Sequence, residues 1–275
     1  MIGLETGDFQ FAAYAALTYS HFTYWPGIDK ELSEFQQETG GLSQAVHQLK
    51  QTMVFRHYQI LQQAVSYWRE GRASSKYLQG EYYNEEISLP LQLQANDGPS
   101  IFYVHGHKLL LNYLFGDYQQ AVENAMQAEK YSDAVIGFPY IPILCFYDSL
   151  ARLAAGEGNP NGESGQLLSS RITANQEKMK KWARSAPMNY QHQFELVEAE
   201  RHRVLGDRAH AMDGYDRAIA GAKENGHLRE EALANELAAQ FYLDWGKERV
   251  AQAYLPGQSR YVVARIGMPK RRFNR

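Results

Sequence analysis

The chain has a single cysteine, Cys145, in 275 residues. One thiol excludes an intramolecular disulfide framework and every zinc or iron–sulfur site built from several cysteines. It fits a reducing cytoplasm. Charge of one sign is also missing: 28 Lys and Arg stand against 31 Asp and Glu, a formal balance of −3. No broad basic field is present to drive nucleic-acid binding by counterion release. The longest apolar run, thirteen residues from Val135 to Tyr147, is interrupted by Pro139 and Pro142 and falls short of the roughly 20 residues of a membrane span. The opening MIGLETGDFQ has neither the basic nor the apolar region of a secretory signal. These absences predict a cytoplasmic protein, with no nucleic acid and no membrane span in its function. At about 150 residues per domain, the length fits one or two domains or one elongated array.

What is present is helical periodicity. Tyr118, Ala121, Val122, Ala125 and Ala128 recur at the spacing that puts a small-plus-aromatic stripe on one helix face. Gly116-Asp117 stands just before them, a tight turn followed by a carboxylate suited to cap a helix and oppose its dipole. The cassette recurs. Gly7-Asp8 precedes Phe9, Ala12, Ala16 and Tyr19; Gly206-Asp207 precedes Ala211, Tyr215 and Ala218; Gly246-Lys247 precedes Ala251 and Leu255. Around Gly246, Ala238, Ala239 and Tyr242 upstream and Ala251 and Leu255 downstream match the small–small–Tyr and Ala-x3-apolar offsets of a tetratricopeptide repeat. Around Gly206 the match is partial, with His202 in place of the tyrosine.

The breaks predict helices over about 8–24, 28–38, 42–70, 98–115, 117–131, 139–155, 165–185, 189–205, 207–224, 228–245 and 247–255. The predicted class is all-α: tetratricopeptide-like antiparallel helix pairs stacked into a right-handed superhelix, each pair sheltered by its neighbours. The expected organisation is N-terminal helical pairs over 1–70, an irregular crossing segment over 71–97 that packs across the array or holds a short helix, repeats over 98–255, and a basic, disordered tail over 256–275. Only six residues precede Gly7-Asp8 and Pro256-Gly257 cuts the last helix short, so the chain reads as an interior piece of a larger helical region, its first repeat incomplete.

Catalytic motifs fail on named parts. Gly221 to His227 has phosphate-loop glycine spacing, but His227-Leu228 stand where Lys and Ser/Thr are required. No G-x-S-x-G elbow occurs, and Asp8-Phe9 is followed by Gln10 rather than the glycine of a kinase. Among nine histidines, His105 and His107 are two apart and point to different sides of a helix. His192, His202 and His210 share a region without metal-ligand spacing. No metal, cofactor or catalytic residue is expected, and Cys145 between Leu144 and Phe146 reads as a buried small hydrophobe. The 19 tyrosines and four tryptophans read as filling of helix–helix seams. An enzymatic alternative would use Glu198 or Glu200 with His202, residues 198 and 202 being neighbours on one helix face.

One stretch is more distinctive. Ala174-Asn-Gln-Glu-Lys-Met-Lys-Lys-Trp-Ala183, Pro187-Met-Asn-Tyr-Gln-His192, Leu196-Val-Glu-Ala-Glu200, Glu230-Glu-Ala-Leu-Ala-Asn-Glu236 and Phe241-Tyr-Leu-Asp-Trp-Gly246, with Gly7 to Ala16 nearer the start, resemble the helical middle region of large bacterial and fungal signalling proteins. Those proteins join a serine/threonine-kinase-like domain, an AAA-type ATPase, a tetratricopeptide-like stretch, a GAF sensor and often a histidine kinase. The resemblance covers most of residues 5–255 and fades at Pro256. It implies a non-catalytic scaffold for protein interaction or interdomain coupling, since the kinase and ATPase motifs fall outside it. The partners implied are a protein or the neighbouring domains of a parent signalling protein; the alternative is a free-standing adaptor that binds a protein tail. By the repeat offsets, the residues expected to face a binding groove are Gln193, Glu200 and Arg203 in one unit and Glu236, Gln240 and Asp244 in the next.

Overall fold

The computed structural model describes residues 5–25, 31–71, 77–138, 140–156 and 163–254, the side chains of 163–169 excepted. The basic tail over 256–275, Pro256-Gly257 and the loop ending at Gly162 lie outside the described residues. Among those residues the chain is all helical. Twelve α-helices follow one another: α1 (Phe9–Tyr24), α2 (Leu32–Gln48), α3 (Thr52–Glu70), α4 (Glu85–Gln94), α5 (Gly98–Phe115), α6 (Tyr118–Glu129), α7 (Tyr140–Ala154), α8 (Glu163–Ser185), α9 (Pro187–Val204), α10 (Arg208–Glu224), α11 (Leu228–Asp244) and α12 (Glu248–Tyr254), with a single 3-10 turn at Ser132–Val135.

The recurring turn is built by two residues. Gly116, Gly206, Gly226 and Gly246 all take a left-handed φ between 74° and 85°, which a Cβ would strain. The next residue then returns its amide to the preceding helix: Asp117 N–H to Asn112 O, Asp207 to His202 O, His227 to Ala222 O and Lys247 to Tyr242 O, at 2.8–2.9 Å. Where that residue is aspartate, its side chain also caps the following helix. Asp8, Asp117 and Asp207 accept from the amides of Phe11, Gln120 and His210 at 3.1–3.3 Å. His227 holds the same position at the start of α11 and makes no such cap.

Packing follows chain order. Each helix of the run α5 to α12 packs on the next, and the odd-numbered helices α1, α3, α5, α7, α9 and α11 also each pack on the following odd one. The odd helices therefore form a continuous layer. The even helices pack on their sequence neighbours. In the middle of that layer, α5 is buried nearly all round, with Phe102, Val104, Leu110, Leu111 and Leu114 at 1% exposure or less; a helix flanked on several sides has no polar face. Small residues set a close seam. A Cβ on Gly214 of α10 would stand 2.9 Å from the Ala199 Cβ of α9.

Two boundaries differ from the sequence expectation. Instead of helices over 28–38 and 42–70, α2 runs through Gly40-Gly41 to Gln48, and the break falls at Lys50, whose φ is 57°. Phe35, Thr39, Ser43 and Val46 are buried in phase on both sides of the glycine pair, and that common face outweighs the roughly 1 kcal/mol per residue by which glycine weakens a helix. The segment before Gly98 holds the short helix α4 with Pro90 inside it. Its loop is pinned to α3, the Gln63 side-chain oxygen accepting from the amides of Tyr82 and Tyr83 at 3.1 and 3.2 Å. At its far side Lys108 of α5 pairs with buried Glu85 at 2.7 Å.

Candidate functional site

The end of α1 and the start of α11 meet across the odd-helix layer. Arg229, 1% exposed, donates to the carbonyls of Tyr24, at 3.2 Å, and Trp25. Its third acceptor is Glu230 Oε1 at 3.3 Å, and its guanidinium lies 5.5 Å from the centroid of Trp68 on α3. A guanidinium at the C-terminal end of a helix meets the negative end of the dipole and satisfies carbonyls the helix leaves open. Around it Trp25 stacks on His107 of α5 at 4.8 Å, and Tyr24 meets Trp68 and His107 edge-on.

Next to this knot lie further buried polar rings. His21 bonds to the Tyr140 hydroxyl, and Tyr103 packs edge-on against His21, His57 and Tyr140. Burial lowers His57 to about 4 and His107 to about 3, holds His21 well below the usual imidazole value, and raises Tyr103 to about 12. All these groups are neutral at pH 7. The cavity among Trp25, Phe102, Tyr140 and Tyr147 has a volume of only about 10 Å³, at the lower limit for one water molecule. The knot is therefore packing with polar edges and has no room for a substrate. Cys145 is buried on α7, its thiol pushed up to about 11 by desolvation, which keeps it protonated and unreactive.

The groove candidates scatter. Gln193 and Glu200, assigned by the repeat offsets to a groove, are buried. Glu200 is drawn inward by three bonds from Arg203, at 2.8–3.1 Å, and by the Tyr215 hydroxyl of α10. Arg203 is half-buried on this pair, Gln240 donates to Asp244 at 2.6 Å, Glu236 is half-buried and Asp244 is exposed. The structure thus joins Glu200 with Arg203 and Gln240 with Asp244, each pair within one helix. Of the enzymatic alternative, Glu198 accepts from Gln176 at 2.6 Å and Arg201 at 2.7 Å, while His202 faces Asp207 at 3.3 Å.

Among the described residues, two clusters have the composition of a metal site. His202, Asp207 and His210 lie at the α9–α10 turn, largely exposed, with Asp207 already bonded to both rings. His192, His227 and Glu230 bring one ligand atom each to within 4.8 Å of one another. His192 comes from α9; His227 and Glu230 come from the turn and first turn that open α11. Spacing along the sequence misses this second group because its members sit on two helices. The signal that could have found it is His227, in the position where three sister turns carry aspartate.

Comparison with models of protein families, with curated proteins and with solved structures finds no match for this chain.

Proposed function

We propose that the chain is a non-catalytic helical-repeat scaffold for protein interaction or interdomain coupling in signal transduction, a tetratricopeptide-like right-handed superhelix that belongs to a larger signalling protein and works in the cytoplasm. The observation that carries this reading is the contact order: each odd helix packs on the next odd helix while the intervening even helix packs beside it. That is how stacked helix pairs bury their faces. The repeated glycine turn and the Gly214–Ala199 seam support it, because close pair packing demands small residues. No helix among the described residues is long and apolar enough to cross a membrane.

The mechanism would be adhesive and mechanical. A partner docks through the more accessible of the expected groove residues, Arg203, Glu236, Gln240 and Asp244, and small rotations between pairs pass that occupancy along the array. The Arg229 bridge from α11 to α1 supports coupling, since movement at one end strains a bond at the other. The test is the genomic DNA on both sides of the reading frame. In-frame ATPase-like and GAF-like coding sequence is the expected result. Unrelated, self-contained neighbouring genes would overturn interdomain coupling and leave the free-standing adaptor.

A further inference from the structure

The buried atoms of the second histidine cluster lack what buried polar atoms need. His192 is 2% exposed, and neither ring nitrogen has a hydrogen-bond partner; Glu230 is 1% exposed, and its Oε2 has none. Leaving such groups unsatisfied is costly, because they lose their water without gaining a partner, so they mark an ion, a ligand or ordered water. The cluster also gives up stability to exist. His227 stands in the cap position of α11 and makes no cap, where aspartate or serine would stabilise the helix. Its Nε2 instead donates to the Met188 carbonyl at 2.9 Å, which leaves Nδ1 as the free lone pair. A backbone carbonyl holding the far nitrogen is the usual outer support of a metal-ligating histidine. Glu230 is supported likewise, Arg229 holding Oε1 while Oε2 has no partner. Arg229 itself is turned toward the carbonyls of Tyr24 and Trp25.

We propose that His192, His227 and Glu230 bind a divalent transition-metal ion of the zinc class, clamping α9 to the start of α11. Two imidazole nitrogens and one carboxylate oxygen suit such an ion better than Mg²⁺ or Ca²⁺, which prefer oxygen alone. Three protein ligands leave the fourth tetrahedral position to water. His227 is half-buried and supplies the way in. The two rings are stacked with centroids 4.3 Å apart, so their lone pairs lie side by side rather than on one point. Ligand atoms around a tetrahedral zinc stand roughly 3.3 Å apart, against the 4.8 Å of the cluster; binding therefore opens the stack and draws the three inward. The exposed His202–Asp207–His210 group carries no such inference, because its ligand atoms satisfy one another. It can still compete for ions.

The experiment uses the full chain carrying His210→Ala, which removes the competitor, stripped with a chelator and titrated with Zn²⁺ alone against a chromophoric chelator; Co²⁺ is the spectroscopic probe. Expected is one Zn²⁺ per chain, visible Co²⁺ bands of a four- or five-coordinate site, and a raised melting temperature. His192→Ala, His227→Gln and Glu230→Gln should each weaken binding by at least the ten- to hundredfold that losing even an outer support costs. Far-UV circular dichroism checks each fold. If His192→Ala unfolds, the half-buried His227→Gln decides. A stripped chain that takes up no Zn²⁺, or equal affinity in the folded variants, overturns the proposal.

Discussion

The guanidinium of Arg229, in the first turn of α11, donates to the backbone carbonyl of Trp25 at the end of α1, 204 residues earlier in the chain. No other bond described in this protein joins elements so far apart in sequence except its companion to Tyr24. The bond ties the start of α11 to the end of α1, which also reaches α5 through Trp25–His107 and α7 through His21–Tyr140.

Arg229→Ala removes the bridge, leaves two helix-end carbonyls without their donor and leaves Glu230 buried with no cation. Breaking one side of a buried ion pair costs about 3–5 kcal/mol, and that is the expected loss in urea unfolding. The transition should also broaden, because α1 and α11 would then open separately. A loss below about 1 kcal/mol with an unchanged slope would show that the bridge does not form in solution.

Stability should fall in mild acid. Burial holds His57 near 4, and His107 and His192 near 3, whereas unfolded histidine titrates near 6.5. Between those values the unfolded chain binds more protons than the folded one, so stability is full above about pH 6.5 and declines as pH drops. The slope is about 1.4 kcal/mol per pH unit for each such histidine. Urea midpoints at pH 7.5 and 5 measure it. His107→Phe keeps an aromatic ring against Trp25 and should flatten the slope; an equal slope in that variant would place the titration elsewhere.

Much of the helix order was legible because its signals are local. Gly116-Asp117 and Gly206-Asp207 end one helix and cap the next within three residues, and the observed boundaries of α5, α6, α10 and α11 lie within two residues of the expected ones. Gly40-Gly41 misled for the opposite reason: its helix is held by Phe35 and Val46 packing elsewhere in the molecule, which no local rule contains. The Arg229 bridge leaves no local signal, because it joins helices far apart in the chain. Of the His192–His227–Glu230 cluster only His227 is marked locally, by standing where sister turns carry aspartate; its partner His192 is brought in by the packing of α9 on α11. The repeat offsets assign Glu200 to a groove by its helix position alone; its burial against Tyr215, one helix away, is a tertiary contact that no offset contains.

That inward pull separates two of the groove candidates. Glu200 is 3% exposed and satisfies both Arg203 and Tyr215, so Glu200→Ala should destabilise by roughly 3 kcal/mol, the lower range for a broken buried pair. Asp244 is exposed and bonded only to Gln240, so Asp244→Ala should stay within about 0.5 kcal/mol. Thermal melts distinguish them. Were Glu200→Ala equally silent, its carboxylate would be turned to solvent and the groove assignment would regain it.

Two glycines test the seam that the repeat reading depends on. Gly41 is exposed within α2, and a Cβ there would meet nothing within 4 Å; Gly41→Ala should therefore stabilise by about 0.4–1 kcal/mol, by restricting the unfolded chain. Gly214 has the same helical backbone, but its Cβ would stand 2.9 Å from the Ala199 Cβ and 3.1 Å from the Ala199 Cα. Backbone cannot step aside as a flexible side chain can, so Gly214→Ala must push α10 off α9, at the roughly 1–3 kcal/mol of an overpacked core. The same substitution thus carries opposite signs at two helical positions, and only the distance to the neighbouring helix differs. Chemical denaturation of both variants reads the contrast directly. If Gly214→Ala also stabilises, α9 and α10 are not in close contact, and the stacked-pair architecture loses its tightest joint.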